Sequence, residues 1–398
     1  MIKGKHIVVG VTGGIAAYKA AMLVSLLRKK GADVHVCMTE NACHFITPLT
    51  FETLSANRVV TDTFSRETPY EVEHVALAKL ADLIVVAPAT ANILAKAANG
   101  IADDFLSTLL LAARGKVMFA PAMNTAMLHH AAVQRNIAQL RVDGCLIVAP
   151  GSGMLACGDI GDGRMAEPQE ICEAVEAALT PKDLEGVRLM VTAGPTRERL
   201  DDVRYLSNRS TGKMGYAIAK AAARRGAQVT LVSGPTALEA PAGVELRKVE
   251  SAQQMYAACM ETFPQVDIAV KAAAVADYTP AAYHPGKIKK SDDMQLPLVR
   301  TRDILQSLGE KKQKQILVGF AAEAAELERN AQDKLQRKHL DMIAANDISR
   351  SDIGFGSDEN LVTLFFADGT KKVLQKAEKE QIADGILDEA LSLLQKRF

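Results

Sequence analysis

The sequence predicts an α/β protein made of two doubly wound parallel sheets, one after the other. Three observations lead there. A strand, a glycine turn, a helix and a second strand follow one another near residue 6, and the same series recurs near residue 187. Short β-branched apolar runs alternate with helical patterns through both halves. The chain has 398 residues, more than one hydrophobic core usually serves.

The elements follow in order. "HIVVGV" (6–11) reads as a buried parallel strand, and "TGG" turns the chain into a helix from about Ile15 to Lys30. Ala16, Ala20, Leu23 and Leu27 give that helix its apolar stripe, basic residues fill its last turn, and Gly31 ends it. "DVHVCMTE" is the next strand, completing a βαβ unit. "ADLIVVAPA", "GKVMFAPAM" and "GCLIVAP" supply further strands of the first sheet. Polar "LTPKDLEG" (179–186) marks the boundary, giving domains 1–180 and 186–398. The second half opens with "VRLMVTAGPT" (187–196) and continues through a helix stopped at Gly226. "VDIAVKAAA" and "QILVGFAAE" are its later strands.

Composition narrows the function. Lys+Arg and Asp+Glu both number 47, so no global field draws the protein to nucleic acid. Cysteines stand at 37, 43, 145, 157, 172 and 259, with no CxxC pair and no zinc-type spacing. That usage fits reduced thiols and a cytoplasmic setting. No apolar run reaches the length of a membrane span, and the apolar start ends in a glycine turn rather than a cleavage site.

Ligands of such sheets bind beyond the carboxyl ends of the strands. In the first half Thr12-Gly13-Gly14 occupies such an end, small enough for a phosphate to approach backbone N–H groups. A tight turn with nothing bound is the alternative, and the missing GxGxxG counts against an NAD-linked oxidoreductase. The two Ala-Pro-Ala stretches are expected to stop their strands and present Asn92 and Asn124, either to a pocket rim or as helix caps. His74 opens a helix, and alone it reads first as a structural histidine rather than a base. "GSGMLACGDIGDGRM" (151–165) reads as a glycine-rich loop with Cys157 in its middle, an exposed setting for a thiol.

"GGIAAYK", "APATAN", "PAMN" and "ACGDIGDGRM", in this order, resemble the flavin-dependent cysteine decarboxylase family over nearly all of residues 5–178. The resemblance implies a flavodoxin-like FMN domain and a trimer that builds each site between subunits. It makes His74 the decarboxylation base, Asn124 the amide that holds the substrate carboxylate, and Cys157 the proton donor to an enethiol. Gly13, Gly14, Thr39, Ser107 and Thr108 become FMN contacts. This chain departs in having "TAMLHH" after "PAMN", with Leu128 where the family has a packing tryptophan. A non-enzymatic flavoprotein is the rival within this resemblance.

In the second half "TAGPTRERLDDVRYLSNRSTGKMG" (192–215) is one long strand-to-helix connection. Its Arg197, Arg199, Arg204, Arg209 and Lys213 suit a polyphosphate or a solvated basic loop. Asp277 emerges at a strand end, where it could hold a metal or a nucleotide hydroxyl. If "GKIKK" is extended, Lys287 and Lys289 share one face, and Lys334 and Lys338 lie four apart on a helix.

"TAGPTRE", "VRYLSNRSTGKMG", "AAVADY", "KIKK", "GFAAE" and "AND" resemble phosphopantothenate–cysteine ligases, and the fused order resembles the bifunctional coenzyme A biosynthesis family. The resemblance implies a Rossmann-like CTP-binding domain using Mg2+, CTP, 4′-phosphopantothenate and L-cysteine. It assigns Lys287 to the α-phosphate chemistry and Asn208 to the acyl-cytidylate. Lys271, Ala272, Ala273, Asp277, Asp303, Phe320, Lys334 and Lys338 become CTP-binding positions, and Asp277, from its place at the strand end, is also the expected metal ligand. The chain departs at Asp201-Asp202 (commonly Asp-Pro), Ser210-Thr211-Gly212 (Ser-Ser-Gly) and Thr301-Arg302-Asp303-Ile304 (Asn-Pro-Asp-Ile). Dimeric ligase and trimeric decarboxylase parts together imply a homo-oligomer, a dodecamer of four trimers.

Overall fold

The computed structural model describes all residues except 1, 65–71, 155–159, 290–294, 324–326, 348–356, 358 and 398. The chain divides into two compact units, Met1–Thr180 and Pro181–Phe398.

In the first unit six parallel strands form one sheet: β1 (His6–Val11), β2 (Asp33–Met38), β3 (Val59–Val60), β4 (Leu83–Ala89), β5 (Lys116–Pro121) and β6 (Leu146–Ile147). Their order is β3-β2-β1-β4-β5-β6. Without the two-residue β3 at the edge this is the flavodoxin order, and with it the order of dinucleotide-binding sheets. In both, the crevice opens where the winding reverses, here between β1 and β4. The first helix spans Ala17–Lys29, slightly shorter than its apolar pattern suggested. Its Ala17, Ala20, Leu23, Val24 and Leu27 are fully buried against the sheet. Burial of each leucine contributes roughly 1.5–3 kcal/mol. Gly31 ends the turn at φ +85°, a value that favours glycine.

Two expectations for this unit change. The Ala-Pro-Ala stretch of β4 does not stop its strand: pairing with β5 slips between Val86 and Ala89, then resumes as Ala89 meets Pro121. The proline costs one step of the ladder, not the strand. The glycine-rich stretch 151–165 is not loop throughout. β7 (Gly151–Met154) and β8 (Ile160–Arg164) pair as an antiparallel hairpin. No apolar alternation announces it, because its order comes from docking: Met123 N donates to Gly163 O at 2.9 Å and Thr125 Oγ1 to Asp162 O at 2.6 Å. Gly163 lies so close that a Cβ there would stand 2.2 Å from Met123 O.

The second unit repeats the winding and extends it. Its strands are β9 (Arg188–Ala193), β10 (Arg197–Arg199), β11 (Tyr205–Ser207), β12 (Gln228–Ser233), β13 (Val244–Lys248), β14 (Ile268–Lys271), β15 (Tyr278–Pro280), β16 (Leu298–Arg300), β17 (Ile316–Glu323), β18 (Met342–Asp347), β19 (Glu359–Phe366) and β20 (Lys371–Glu378). Eight form a sheet in the order β13-β12-β9-β14-β17-β18-β19-β20, and β10-β11 and β15-β16 are separate two-stranded pairs. The first six of the eight are parallel; β19 and β20 add on antiparallel. Leu184 is fully buried in this unit's core, so the residues just after 180 belong with it. Buried Arg224 and Arg225 bind Asp384 and Asp183, tying helix Lys213–Arg224 to the last helix and to the unit's start.

Candidate functional site

Each sheet builds a site at the carboxyl ends of its strands. In the first unit Thr12, leaving β1, donates through Oγ1 to Pro88 O at 2.7 Å and accepts from Thr90 N at 3.3 Å. That buried hydroxyl sets the width of the crevice between β1 and β4. Gly13, Gly14, Ile15, Thr90, Met123 and Asn124 line a cavity of about 650 Å³ there, and Met154, Gly163 and Arg164 of the hairpin close one side. A volume of that order suits a cofactor, and the lining is mainly apolar with few polar groups.

Gly13 is backed by Asn41: a Cβ there would lie 2.4 Å from Asn41 Cβ. Gly14 has only Thr90 Cγ2, at 3.8 Å, within reach of such an atom. The turn is therefore packed from behind and open in front, as close approach of a phosphate requires. Thr39, just past β2, keeps a buried Oγ1 with no partner among the described residues. An orphaned buried hydroxyl at this end of the sheet fits a ligand oxygen, so the residues present fit FMN. Lys19, also in the lining, is buried and donates to Glu167 Oε1 at 2.8 Å. That bond holds the Glu167 carboxyl below its ordinary range.

Asn124 fulfils both roles weighed for it. Its Oδ1 accepts from Ala126 N at 2.8 Å as the cap of helix Thr125–Leu128, and the residue lines the cavity. Asn92 does not cap; Thr90 precedes helix Ala91–Asn99. His74, second in helix Glu73–Leu80, is outside the cavity lining, its ring edge-on to Phe105 at 6.4 Å. Ser107 and Thr108 follow Phe105. Ser107 accepts from Asp104 N in a capping box and Thr108 Oγ1 donates to Asp104 O at 2.7 Å, so both hydroxyls already serve the start of helix Phe105–Ala112. Cys157 lies outside the described residues, in the sequence between β7 and β8. The thiols of Cys37 and Cys259 are pushed up to about 12 by burial and are inert.

In the second unit the chain past β14 runs beside the exit of β9. Ala274 N donates to Gly194 O at 3.0 Å, Ala273 N to Thr192 Oγ1 at 3.1 Å and Ala276 N to Thr196 Oγ1 at 3.0 Å. Asn208 Nδ2 reaches Val275 O at 3.1 Å and Ala274 O at 3.3 Å. The structure thus brings Asn208 onto the strand end that holds Lys271, Ala272 and Ala273. Lys271 donates to Ala273 O at 2.9 Å. Burial, and then the charge of Lys338, push its ammonium down to about 8, while Asp303 and Asp277 oppose that shift. Lys338 contacts Asp303 Oδ2 at 2.7 Å. Burial alone would raise the Asp303 carboxyl; the hydrogen bond from Lys338 and that from Gln306 N bring it below its ordinary range. Lys271, Lys338, Asp303 and Asp277 therefore form one charged group. Lys334 stands four residues before Lys338 in helix Leu327–Arg337, while Lys338 follows the helix's last residue. Phe320 is half-buried on β17.

Lys287 is exposed on a strap held by both aspartates of the Asp201-Asp202 pair. Asp201 is fully buried; its Oδ2 accepts from Arg204 Nη2 at 2.6 Å and from Ile288 N at 3.1 Å. The Arg204 bond holds this carboxyl well below the usual range. Asp202 accepts from Tyr283 Oη and, at 2.8 Å, from Gly286 N. The expectation of a basic phosphate-binding loop changes here. Arg204 is spent on Asp201 and on Ile288 O, Arg197 covers the Tyr205 ring at 4.6 Å, and Arg199 pairs with Glu250. Sequence reasoning missed two residues. Asp202 was read only as a departure, and Asn346, at the end of β18, carries a buried Oδ1 with no partner among the described residues. The "AND" motif was the signal for the latter.

Among the described residues no helix is long and apolar enough to cross a membrane. Residues 1–180 match the family described as flavoprotein, and residues 184–394 the DNA/pantothenate metabolism flavoprotein C-terminal domain. The coenzyme A biosynthesis bifunctional protein CoaBC of Bacillus subtilis is 50% identical over 99% of this chain and 98% of its own length. A crystal structure of the C-terminal domain of a CoaBC is 44% identical, covers 54% of this chain and 99% of its own, and has a TM-score of 0.48. The FMN-dependent cysteine decarboxylase SpaF is 36% identical, covers 45% of this chain and 97% of its own, with a TM-score of 0.40. With both domains matched in order and half of all residues shared along the full length, the chain belongs to the bifunctional coenzyme A biosynthesis family, whose members join a phosphopantothenoylcysteine decarboxylase to a phosphopantothenate–cysteine ligase.

Proposed function

We propose that the second unit ligates cysteine to 4′-phosphopantothenate and that the first unit decarboxylates the product to 4′-phosphopantetheine. The observation that carries this reading is the recurrence of a candidate site at the carboxyl end of each sheet, built from different residues: a mainly apolar cavity with a glycine turn and Asn124 in one, a charged group around Lys271 and Lys338 near Asn208 in the other.

In the ligase the substrate carboxylate attacks the α-phosphate of CTP, pyrophosphate leaves, and an acyl-cytidylate forms. The cysteine amine then displaces CMP. Lys271, Lys334 and Lys338 offset the triphosphate charge, and Asp303 aims Lys338. The backbone of Ala272 and Ala273 lies along the nucleotide, with Phe320 beside the base. Lys287 meets the charge that grows at the α-phosphate, and Asn208 holds the cytidylate. Asp277 would hold Mg2+, an ion commonly bound by one or two carboxylates, and the ion would supply positive charge against the triphosphate.

In the decarboxylase Gly13, Gly14 and Thr39 hold the flavin phosphate and ribityl side, with Ser107 and Thr108 near it. When bound, FMN supplies the two-electron oxidation and the later return of the hydride. Asn124 fixes the substrate carboxylate, His74 serves as base, and Cys157 protonates the enethiol at carbon while the hairpin excludes water. His74 lies outside the cavity of its own chain, which supports a site completed between subunits. The assembly proposed is a decarboxylase trimer and a ligase dimer, closing as a dodecamer.

The test mixes protein with 4′-phosphopantothenate, cysteine, Mg2+ and CTP and follows products by mass. Formation of 4′-phosphopantetheine, CMP, pyrophosphate and carbon dioxide is expected. Accumulation of the cysteine adduct alone refutes the first-unit role, and absence of CMP refutes the second.

A further inference from the structure

A third group of chemically able side chains lies outside both candidate sites. It sits at the amino-terminal edge of the first sheet, on the first residues of β1 and β2. His6 and Asp33 are direct partners across the ladder. His35 stands two residues past Asp33, so it projects from the same face. The three side chains converge: His6 Nδ1 is 3.1 Å and His35 Nε2 3.3 Å from the same oxygen, Asp33 Oδ2. All three ligand atoms lie within 4.8 Å of one another. The side chains are open to solvent, at 38%, 39% and 21% exposure for His6, Asp33 and His35. Asn57 braces the carboxylate from the other side, donating through Nδ2 to Asp33 Oδ1 at 2.9 Å and to Val34 O at 2.9 Å.

Neither flavin nor nucleotide chemistry uses these residues. The crevice is at the far end of the strands, and six residues of β-strand span about 20 Å. A tetrahedral ion with bonds of 2.0–2.1 Å spaces its ligands about 3.3 Å apart. Two of the three spacings, 3.1 and 3.3 Å, are close to that value, and the third lies within 4.8 Å. Two imidazoles and a carboxylate are a nitrogen-rich donor set that suits zinc-class ions over Mg2+ or Ca2+. The Asn57 amide is the kind of outer contact that orients a ligating carboxylate. The Asp82 carboxylate is taken by Lys5 Nζ and His6 N, each at 2.9 Å. Asp33 is therefore the anion that faces both imidazoles.

We propose that His6, Asp33 and His35 form a binding site for a divalent cation of the zinc class, with a fourth position open to solvent. As the structure stands, two imidazoles share one carboxylate oxygen through their protons; a divalent ion takes the place of both. The proposal is independent of the flavin and nucleotide readings.

The experiment uses the full chain with its flavin and without an affinity tag. Protein is dialysed against zinc buffered at micromolar free concentration, and bound zinc is counted per chain. His6→Gln, His35→Gln and the double variant are compared, with flavin absorbance reporting the fold. The unaltered chain should hold one equivalent more than the double variant, and each single variant should bind at least tenfold more weakly. Equal uptake by the unaltered chain and the double variant overturns the proposal. In the unaltered chain, zinc should shift the His6 and His35 imidazole NMR signals. Signals left unmoved by bound zinc overturn it as well, whatever the variants do.

Discussion

The two units share one winding order but leave their first strands in different ways. After β1 the chain needs only residues 12–16 to reach its helix; after β9 it takes residues 194–212. The short exit presents backbone at Gly13 and Gly14, with Ile15 beside them in the cavity lining. The long exit presents side chains, and it spends most of them on itself. Asp201, Arg204 and Asp202 fix a strap, Arg197 stacks on Tyr205, and Thr196 and Asn208 reach across to the next strand end. One sheet order thus serves two chemistries according to the length of a single crossover. The backbone exit suits a cofactor that stays. The side-chain exit suits a substrate that must be held, cleaved and released.

That contrast is broken most sharply by removing one reacting group from each half. Cys157→Ser should slow the final protonation by about 10²–10⁴-fold, with a species lighter by two hydrogens accumulating and CMP release unchanged. Lys287→Gln should slow CMP release by about 10²–10³-fold while authentic cysteine adduct is still decarboxylated at the normal rate. Loss of both activities in either variant would contradict the division. The exits themselves come next. Gly13→Ala drives a Cβ to 2.4 Å from Asn41 Cβ and should cost about 1–3 kcal/mol, read as lost flavin and a lower Tm with the ligase intact. Gly194→Ala places a side chain at φ +75° and 2.8 Å from Thr236 Cγ2, and should produce the opposite pattern at similar cost.

Smaller effects sharpen the role of the long exit. Asp202→Asn weakens the hold on Tyr283 and Gly286, and should lower the ligase kcat by about tenfold with little change in the KM for CTP. A rise in KM alone would mean that the strap only binds. The pH profile is the finest probe. Lys271, near 8 in the folded chain against an ordinary 10.5, is penalised when charged. The empty unit should therefore gain stability from this group as pH rises from 8 toward 10.5, while CTP affinity falls over the same range as the lysine discharges. Lys271→Gln should flatten both trends, measured by Tm and by nucleotide titration.

Much of this was legible in the residues. The apolar runs, the helix stripe of Leu23 and Leu27 and the glycine stops at Gly31 and Gly226 are local signals, and each has the role that its chemistry suggests. The hairpin β7-β8 was not legible, because its strands carry no alternation and take their order from Met123 and Thr125, far away in sequence. Proline 88 misled for a related reason: a register slip with β5 absorbs it, and slips belong to pairs of strands. At the sites, Gly13, Gly14 and Asn124 share one cavity, as small residues at strand ends suggest. The use of Arg204 was hidden, since a buried aspartate beside it converts an apparent phosphate ligand into a fastening. His74 shows another limit, for its place beside Phe105, outside the cavity lining, is set by how helix Glu73–Leu80 packs, which no local motif records.

The division after Thr180 has a consequence for inheritance. Each unit keeps its own core, with Leu23, Val36 and Val85 in one and Leu189, Val270 and Leu364 in the other. A cut between Thr180 and Pro181 removes no residue from either. A lineage that splits the gene at this point, or exchanges one half for a foreign counterpart, begins from two parts each with its own fold.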